Sequence, residues 1–482
     1  MLTRRVGVVA LARDTFDLAE AERQAARARD VLLRLGLDWS GSHELVTDRD
    51  GLDAALRACD DELDAMIVLQ ATFADASMVI DLAARTDRPL VVWSFPEPRT
   101  GGPIRLNSLC GANLAAFSLR RRGNHAAFVH VDPTDGDAGE KLVDALSRAS
   151  LPIVNRAIEP TEAVISDAAR AGAREVAATL ANAPIGVIGD HPDGFEPCSY
   201  DDAAIHALAG VRPDRVELTD LFGAADDVVD DELMHIGDRV RRAVRLTPGL
   251  DDVGLEQSLR LYGGMHALAT ERGWKAMATR CWPECPKVYG GAACAPQAMM
   301  TEDGVPAMCE ADVYGALTAL VLRTIAGRDP FVTDLVDADE RDETSAVWHC
   351  GQAPMSLADP DAMRRGVVHQ NNHRALLHEF PLAPGRVTIA RISQAGDGRP
   401  VMVIGGGELL ARPRPFGGTC GVLRWDQPVH DVMATVFGFG LEHHVALVPG
   451  EHRDVLVALA DQWGLPVLRL GHDQVHRATP VG

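Results

Sequence analysis

Along the first third of the chain, short apolar runs alternate with stretches whose apolar residues recur every three or four positions. Residues 6–10 (VGVVA) are continuously apolar and predict a buried strand. After them, Leu18, Ala21, Ala25, Ala28, Leu32 and Leu35 fall on one face of a helix that Gly36 ends. The alternation returns with strands at 65–69, 90–93 and 126–130 and helices at 78–84 and 113–121. Strands alternating with helices predict βαβ units and a doubly wound parallel sheet, in which ligands gather beyond the carboxyl ends of the strands. The loops placed to reach a ligand are then 11–16, 70–75 and 94–109.

A second α/β block opens near Pro184, with a strand at 185–189 and then the turn-rich DHPDGFEPCSYDD. Helical stretches at 230–242 and 255–271 precede a short strand at 275–279. A helix over 310–326 puts Val313, Leu317, Leu320 and Val321 on one face. Beyond about residue 345 the character changes. Segments 386–393 and 401–404 are β-rich and separated by AGDGR, a hairpin signal. Glycines at 405–407, 417–418 and 421 punctuate an antiparallel barrel or sandwich, and a last β-α-β-like unit spans 445–470. The expected architecture is two doubly wound, Rossmann-like α/β domains, residues 1–175 and 176–345, followed by a β-rich, barrel-like domain, residues 346–482. Glu310 and Asp334 would then belong to the second domain and His444 to the third.

The 482 residues agree with about three domains. Lys and Arg total 47 against 69 Asp and Glu, a formal charge of −22. That balance argues against a partner whose backbone is phosphate and against an anionic membrane surface. No apolar run approaches the ~20 residues of a membrane span. The N-terminus meets acidic residues at once and shows no small-residue cleavage site, so it reads as a strand and the protein as cytoplasmic. Nine cysteines are too sparse for a disulfide framework.

The first strand is not followed by G-x-G-x-x-G, and G-x-x-x-x-G-K-[ST] occurs nowhere, so neither NAD nor ATP is supported. The glycines at 405–407 read as bulges or tight turns. Cys281, Cys285, Cys294 and Cys309 lack the paired spacing of structural zinc and read as small buried thiols. Oxygen and nitrogen ligands form the more pointed set. Glu310 opens the 310–326 helix, Asp334 closes PFVTD with Asp337 just beyond, His349 ends AVWH, and His443 and His444 follow Gly440. Such residues at element ends can converge on one hard or borderline cation such as Mn²⁺ or Mg²⁺. Singly, each reads equally well as a helix cap or dipole partner.

The stretch MCEADVYGALTALVLRTIAGRDPFVTDLVDAD followed by VWHCGQAP resembles the L-fucose isomerase and L-arabinose isomerase superfamily, on its fucose-isomerase-like branch. So do RCWPECP, FPEP…GGPIRLNSLCGANLAAFSLRR, GDHPDGFEPCSYD and GLEHHVALVPG, all in the family's order. The resemblance implies a metal-dependent aldose–ketose isomerase assembled as a trimer or hexamer. It implies that Glu310, Asp334 and His444 bind Mn²⁺ (or Mg²⁺ or Co²⁺), and that Glu310 and Asp334 also move protons through a cis-enediol. It places Arg13, Gln70, Arg280, Trp282 and His349 on the substrate side, with Thr72 beside Gln70. The implied substrate is a 6-deoxyhexose, a pentose or an anionic (sulfonated or phosphorylated) hexose. Two arginines in the site would favour the anionic one, because arginine matches such groups bidentately. A non-catalytic sugar-binding or sensory protein of periplasmic-binding architecture is the other reading, and it would have no need of the three matching ligand positions.

Overall fold

The computed structural model describes residues 4–151, 153–154, 165–395, 398–473 and 476–477. Five parallel strands form the first sheet, in the order Asp38–Val46, Arg5–Leu11, Ala65–Gln70, Leu90–Ser94, Ala126–His130. The order reverses beside Arg5–Leu11, so the loops after Arg5–Leu11 and Ala65–Gln70 flank the crevice where such sheets bind ligands. The helix expected from the three-and-four spacing is Leu18–Arg34; Asp17 caps it by accepting the Glu20 amide at 3.0 Å. Its buried face, Ala21, Ala25, Ala28 and Leu32, packs on Val6, Val8 and Ile67. The edge strand Asp38–Val46 escaped prediction because DWSGSHELV is half-exposed and carries no apolar alternation.

Four parallel strands make the second sheet, in the order Ala307–Met308, Ala276–Thr279, Pro184–Ile188, Arg212–Val216. The third sheet has ten strands, six of which close on themselves: Val401–Leu409, Gly385–Ser393, His444–Pro449, Phe331–Asp339, Thr344–His349 and Thr419–Trp425, the last pairing back to the first. All six pairings are antiparallel, so the expected β-rich end is a closed barrel. A Cβ at Gly407 would come within 2.4 Å of the Arg424 carbonyl oxygen, so this glycine lets the closing strands approach. Gly405–Gly407 therefore lie inside a strand, where a bulge or turn had been expected. The AGDGR hairpin pairs as predicted, although Gly396 and Asp397 at its tip lie outside the described residues.

Two local expectations change, and both matter to chemistry. The helix read as 310–326 starts at Val313, with Asp312 as its cap; Glu310 and Ala311 instead occupy the left-handed region at φ +57° and +52°. Asp334 does not end a strand. It sits within Phe331–Asp339, a barrel strand, directly opposite His444 on the neighbouring strand. Helix Val313–Ala326 is buried all round, with Leu317 and Val321 in one core with Ile185 of the second sheet and Ile392 and Ile404 of the barrel. That shared core fixes the N-terminus of the helix, and so Glu310, against the barrel. No helix among the described residues is long and apolar enough to cross a membrane.

Candidate active site

A cleft opens where the first two sheets' loops meet the barrel, and Arg13, Phe73, Phe195, Trp282, Glu310, Asp334, His349 and His443 line it. Asp334 and His444 come from paired strands, and Asp334 Oδ1 lies 3.6 Å from His444 Nε2. Glu310 arrives from the turn after the short strand Ala307–Met308. Two consecutive non-glycine residues at positive φ are sparsely allowed, at about 1–3 kcal/mol each, and persist only where the surroundings hold them. Here the Ala311 amide donates to the Thr279 carbonyl at 3.1 Å and the Asp312 amide to that of Cys309 at 3.1 Å. The result puts Glu310 Oε2 3.7 Å from the same His444 Nε2 and 3.0 Å from His443 Nε2.

Two carboxylate oxygens, from Glu310 and Asp334, thus each lie within 4 Å of one imidazole nitrogen, and Glu310, His443 and His444 gather with Cys198 closely enough to hold an ion. Asp334 Oδ1 is buried and has no hydrogen-bond partner among the described residues, a state expensive for an anion unless a cation meets it. An oxygen-rich set with one imidazole suits a hard or borderline divalent cation, so these residues fit one. Cys309 and His349 border the set: the thiol lies 3.0 Å from His349 Nε2, and His349 Nδ1 donates to the Val332 carbonyl at 2.9 Å.

Electrostatics sort these groups. Burial pushes the Glu310 carboxyl up, but the hydrogen bond from His443 and the nearby His444 and His349 outweigh it, and the net shift is downward. Burial opposes a charge on His444 too; the hydrogen bond to Asp312 and the charges of Glu310 and Asp334 reverse that and raise it to about 9. His349 is lowered, chiefly by burial, so it is a neutral ring at neutral pH.

Arg13 lines the same cleft as the two carboxylates. Its guanidinium carbon lies 5.9, 6.0 and 5.8 Å from the ring centres of Phe73, Phe195 and Trp282. Its backbone amide is held by Thr72 Oγ1 at 2.8 Å, and no carboxylate among the described residues pairs with its side chain.

Residues 7–149 match the model of the fucose/sulfoquinovose isomerase N-terminal domain. A sulfoquinovose isomerase from Alkalicoccus urumqiensis is 31% identical over 463 residues, which cover 95% of this chain and 98% of that protein. The chain belongs to the fucose/sulfoquinovose isomerase family. Sulfoquinovose isomerases from Priestia megaterium and a Clostridium species are each 29% identical, covering 94% and 82% of this chain and 96% and 84% of theirs. As a member of that family the chain is an aldose–ketose sugar isomerase.

Of the residues the resemblance placed at this isomerase's site, Glu310, Asp334 and His444 come together, and Arg13, Trp282 and His349 line the cleft. Gln70 and Arg280 do not. Gln70 is buried beneath Gly111 and donates to the Thr72 carbonyl at 3.0 Å, shaping the loop that carries Phe73. Arg280 is spent on Glu284 at 2.8 Å and on the His191 carbonyl. Asp337 is no ligand either: it is buried against Arg99 at 2.6 Å and His130 at 3.4 Å.

His443, named with His444 in the candidate ligand set, reaches Glu310 with its ring. Other site residues went unnoticed. Asp312 was hidden as an ordinary helix cap, and Phe73 and Phe195 as isolated aromatics in turn-rich loops. Nothing in the spacing of Arg391 announces that it is buried behind the site.

Proposed function

We propose that this isomerase interconverts the aldose and ketose forms of a sulfonated hexose. A divalent cation held by Glu310, Asp334 and His444 would assist, and Arg13 would receive the sulfonate. The observation that carries the reading is that Glu310 Oε2 and Asp334 Oδ1 lie 3.7 and 3.6 Å from one His444 nitrogen, in a cleft also lined by Arg13, whose guanidinium pairs with no carboxylate among the described residues. Sulfoquinovose isomerases matched along nearly their whole length support the substrate class.

The chemistry asked of the chain is modest. A proton leaves one of two adjacent sugar carbons and returns to the other, through a cis-enediol. Glu310, held below the usual carboxylate range, is ionised at neutral pH and can accept a proton. His443, 3.0 Å from Glu310, can share that proton and hold the carboxylate's orientation. Asp334, whose Oδ1 lies 3.6 Å from His444 Nε2, would serve the second oxygen or carbon. When bound, the cation supplies Lewis-acid stabilisation of charge developing on two neighbouring sugar oxygens. The aromatic rings around the half-buried Arg13 would hold its guanidinium in place for a charge-assisted bond to an anion.

Mn²⁺, or Mg²⁺ or Co²⁺, is the cation proposed, and assembly as a trimer or hexamer follows from the same resemblance. The excess of 69 acidic over 47 basic residues supports a protein without a nucleic-acid or anionic-membrane partner, and a cytoplasmic location is proposed with it. An aldose panel assayed with Mn²⁺ for ketose formation tests the reading. A sulfonated aldohexose should be turned over at least about tenfold better than its neutral counterpart, matching one charged hydrogen bond. Ketose formation from no aldose in the presence of bound metal would overturn the proposal.

A further inference from the structure

The carboxylate of Asp312 has no part in the proton transfer described above, yet every lone-pair direction on it is used. Oδ1 accepts the Gly315 amide at 2.9 Å and Arg391 Nη2 at 3.0 Å; Oδ2 accepts Arg391 Nη1 at 2.6 Å and the His444 Nδ1 proton at 2.8 Å. Asp312, Arg391 and His444 are all at most 2% exposed. A helix cap needs one acceptor, and a serine would serve. Burying a guanidinium bidentately against that cap is more than the helix requires.

The arrangement does have a consequence for His444. A carboxylate paired with arginine only accepts, so the proton stays on His444 Nδ1 and Nε2 faces Glu310 and Asp334. Only a glycine at 315 leaves room for this carboxylate, because a Cβ there would meet Oδ2 at 2.5 Å. Arg391 in turn is fixed on the barrel strand Gly385–Ser393, its Nε 3.9 Å from the buried Glu442, two residues before His444.

We propose that Asp312 and Arg391 are a positioning pair, holding the His444 ring and tautomer and thereby setting the affinity of the site for its divalent cation. This rests on His444 being a ligand, as proposed above. The test is Mn²⁺ binding to the metal-free full-length protein, read by electron paramagnetic resonance, with melting temperatures recorded alongside. Asp312→Asn and Arg391→Met should each weaken Mn²⁺ about ten- to a hundredfold, whereas Arg391→Lys should recover most of that loss. The double variant Asp312→Asn/Arg391→Met removes the buried carboxylate and its guanidinium together, leaving neither without the other, so it decides the matter where a single variant fails to fold. It should bind no more weakly than the poorer single variant, as expected of two residues acting as one unit. A folded Asp312→Asn or double variant that binds Mn²⁺ within twofold of the parent overturns the pair's role and leaves the isomerase reading intact. Failure of the unsubstituted protein to bind Mn²⁺, Mg²⁺ or Co²⁺ would instead sink that reading.

Discussion

Asp334 and His444 face each other across two antiparallel barrel strands, with Asp334 Oδ1 3.6 Å from His444 Nε2. Two side chains on adjacent strands of a closed barrel are set by backbone pairing, so their separation does not depend on loop motion. Glu310, on a strained turn, completes the set. Asp334→Asn and Glu310→Gln should each lower kcat/KM by about 10²–10⁴, the worth of a positioned acid or base. Treatment with EDTA should abolish turnover, and Mn²⁺ should restore it to the parent but not to these variants at the same concentration. Turnover that persists after complete removal of divalent metal would defeat the argument.

Arg13 offers a sharper test of substrate class. Its side chain is surrounded by Phe73, Phe195 and Trp282 and pairs with no carboxylate among the described residues. A charge-assisted hydrogen bond contributes about 1.5–3 kcal/mol. Arg13→Met should therefore raise KM for a sulfonated hexose about 10- to 100-fold while altering kcat little. Neutral aldoses should lose much less. Equal losses for charged and neutral sugars would mean that Arg13 shapes the cleft rather than reading the anion.

Where the sequence was readable and where it was not follows from how local each signal is. The 6–10 strand, the 18–35 helix face and the alternation of the first sheet rest on periodicities within one element, and all appear at those positions. Glu310 was found as a residue but placed on a helix. The apolar run continues through the turn, and nothing local marks the left-handed pair at Glu310 and Ala311. Asp334 was likewise taken as a strand end, because PFVTD reads as complete. The strand in fact continues through Val336, buried on both sides. Arg280 is a different case: its side chain goes to Glu284, four residues on, and surface pairs of that kind are common. Partnerships such as Asp312 with Arg391 join residues far apart in the chain, and periodicity carries no information about them.

Asp337, close to Asp334 on the same strand, belongs to the joint between the first sheet and the barrel. It accepts Arg99 Nε at 2.6 Å and the Glu97 amide at 3.1 Å, while Arg99 also donates to Thr344 Oγ1 at 2.8 Å. Arg99 is about one-fifth exposed and Asp337 almost wholly buried. Removing one partner of such a pair strands the other, at about 3 kcal/mol. Asp337→Ala should thus lower the unfolding midpoint clearly while metal content per folded chain stays unchanged. Loss of bound metal without loss of stability would return Asp337 to the ligand set.

A second joint between the same parts carries a pH signature. Glu340, just past the strand Phe331–Asp339, accepts Lys141 Nζ at 2.8 Å and lies 3.2 Å from His430 Nδ1. The hydrogen bond from His430, aided by Lys141 and opposed by burial, lowers the Glu340 carboxyl to about 2, and the same bond raises His430. A depressed carboxyl stabilises the folded chain above its unfolded value of 4.5 and loses that contribution as pH falls toward 2. A raised histidine contributes fully below its unfolded value of 6.5 and loses its share as pH climbs through the folded value. Both contributions are therefore complete only between those two unfolded values. Glu340 is one-third exposed and His430 mostly so, and solvent screening holds the cluster to about 1 kcal/mol. Urea midpoints of the parent and Glu340→Gln, compared from pH 2 to pH 9, should differ most near pH 5.5. The gap should close toward pH 2 and narrow on the alkaline side, where Lys141 still holds the carboxylate. A gap independent of pH would show that the cluster stabilises by packing rather than by charge.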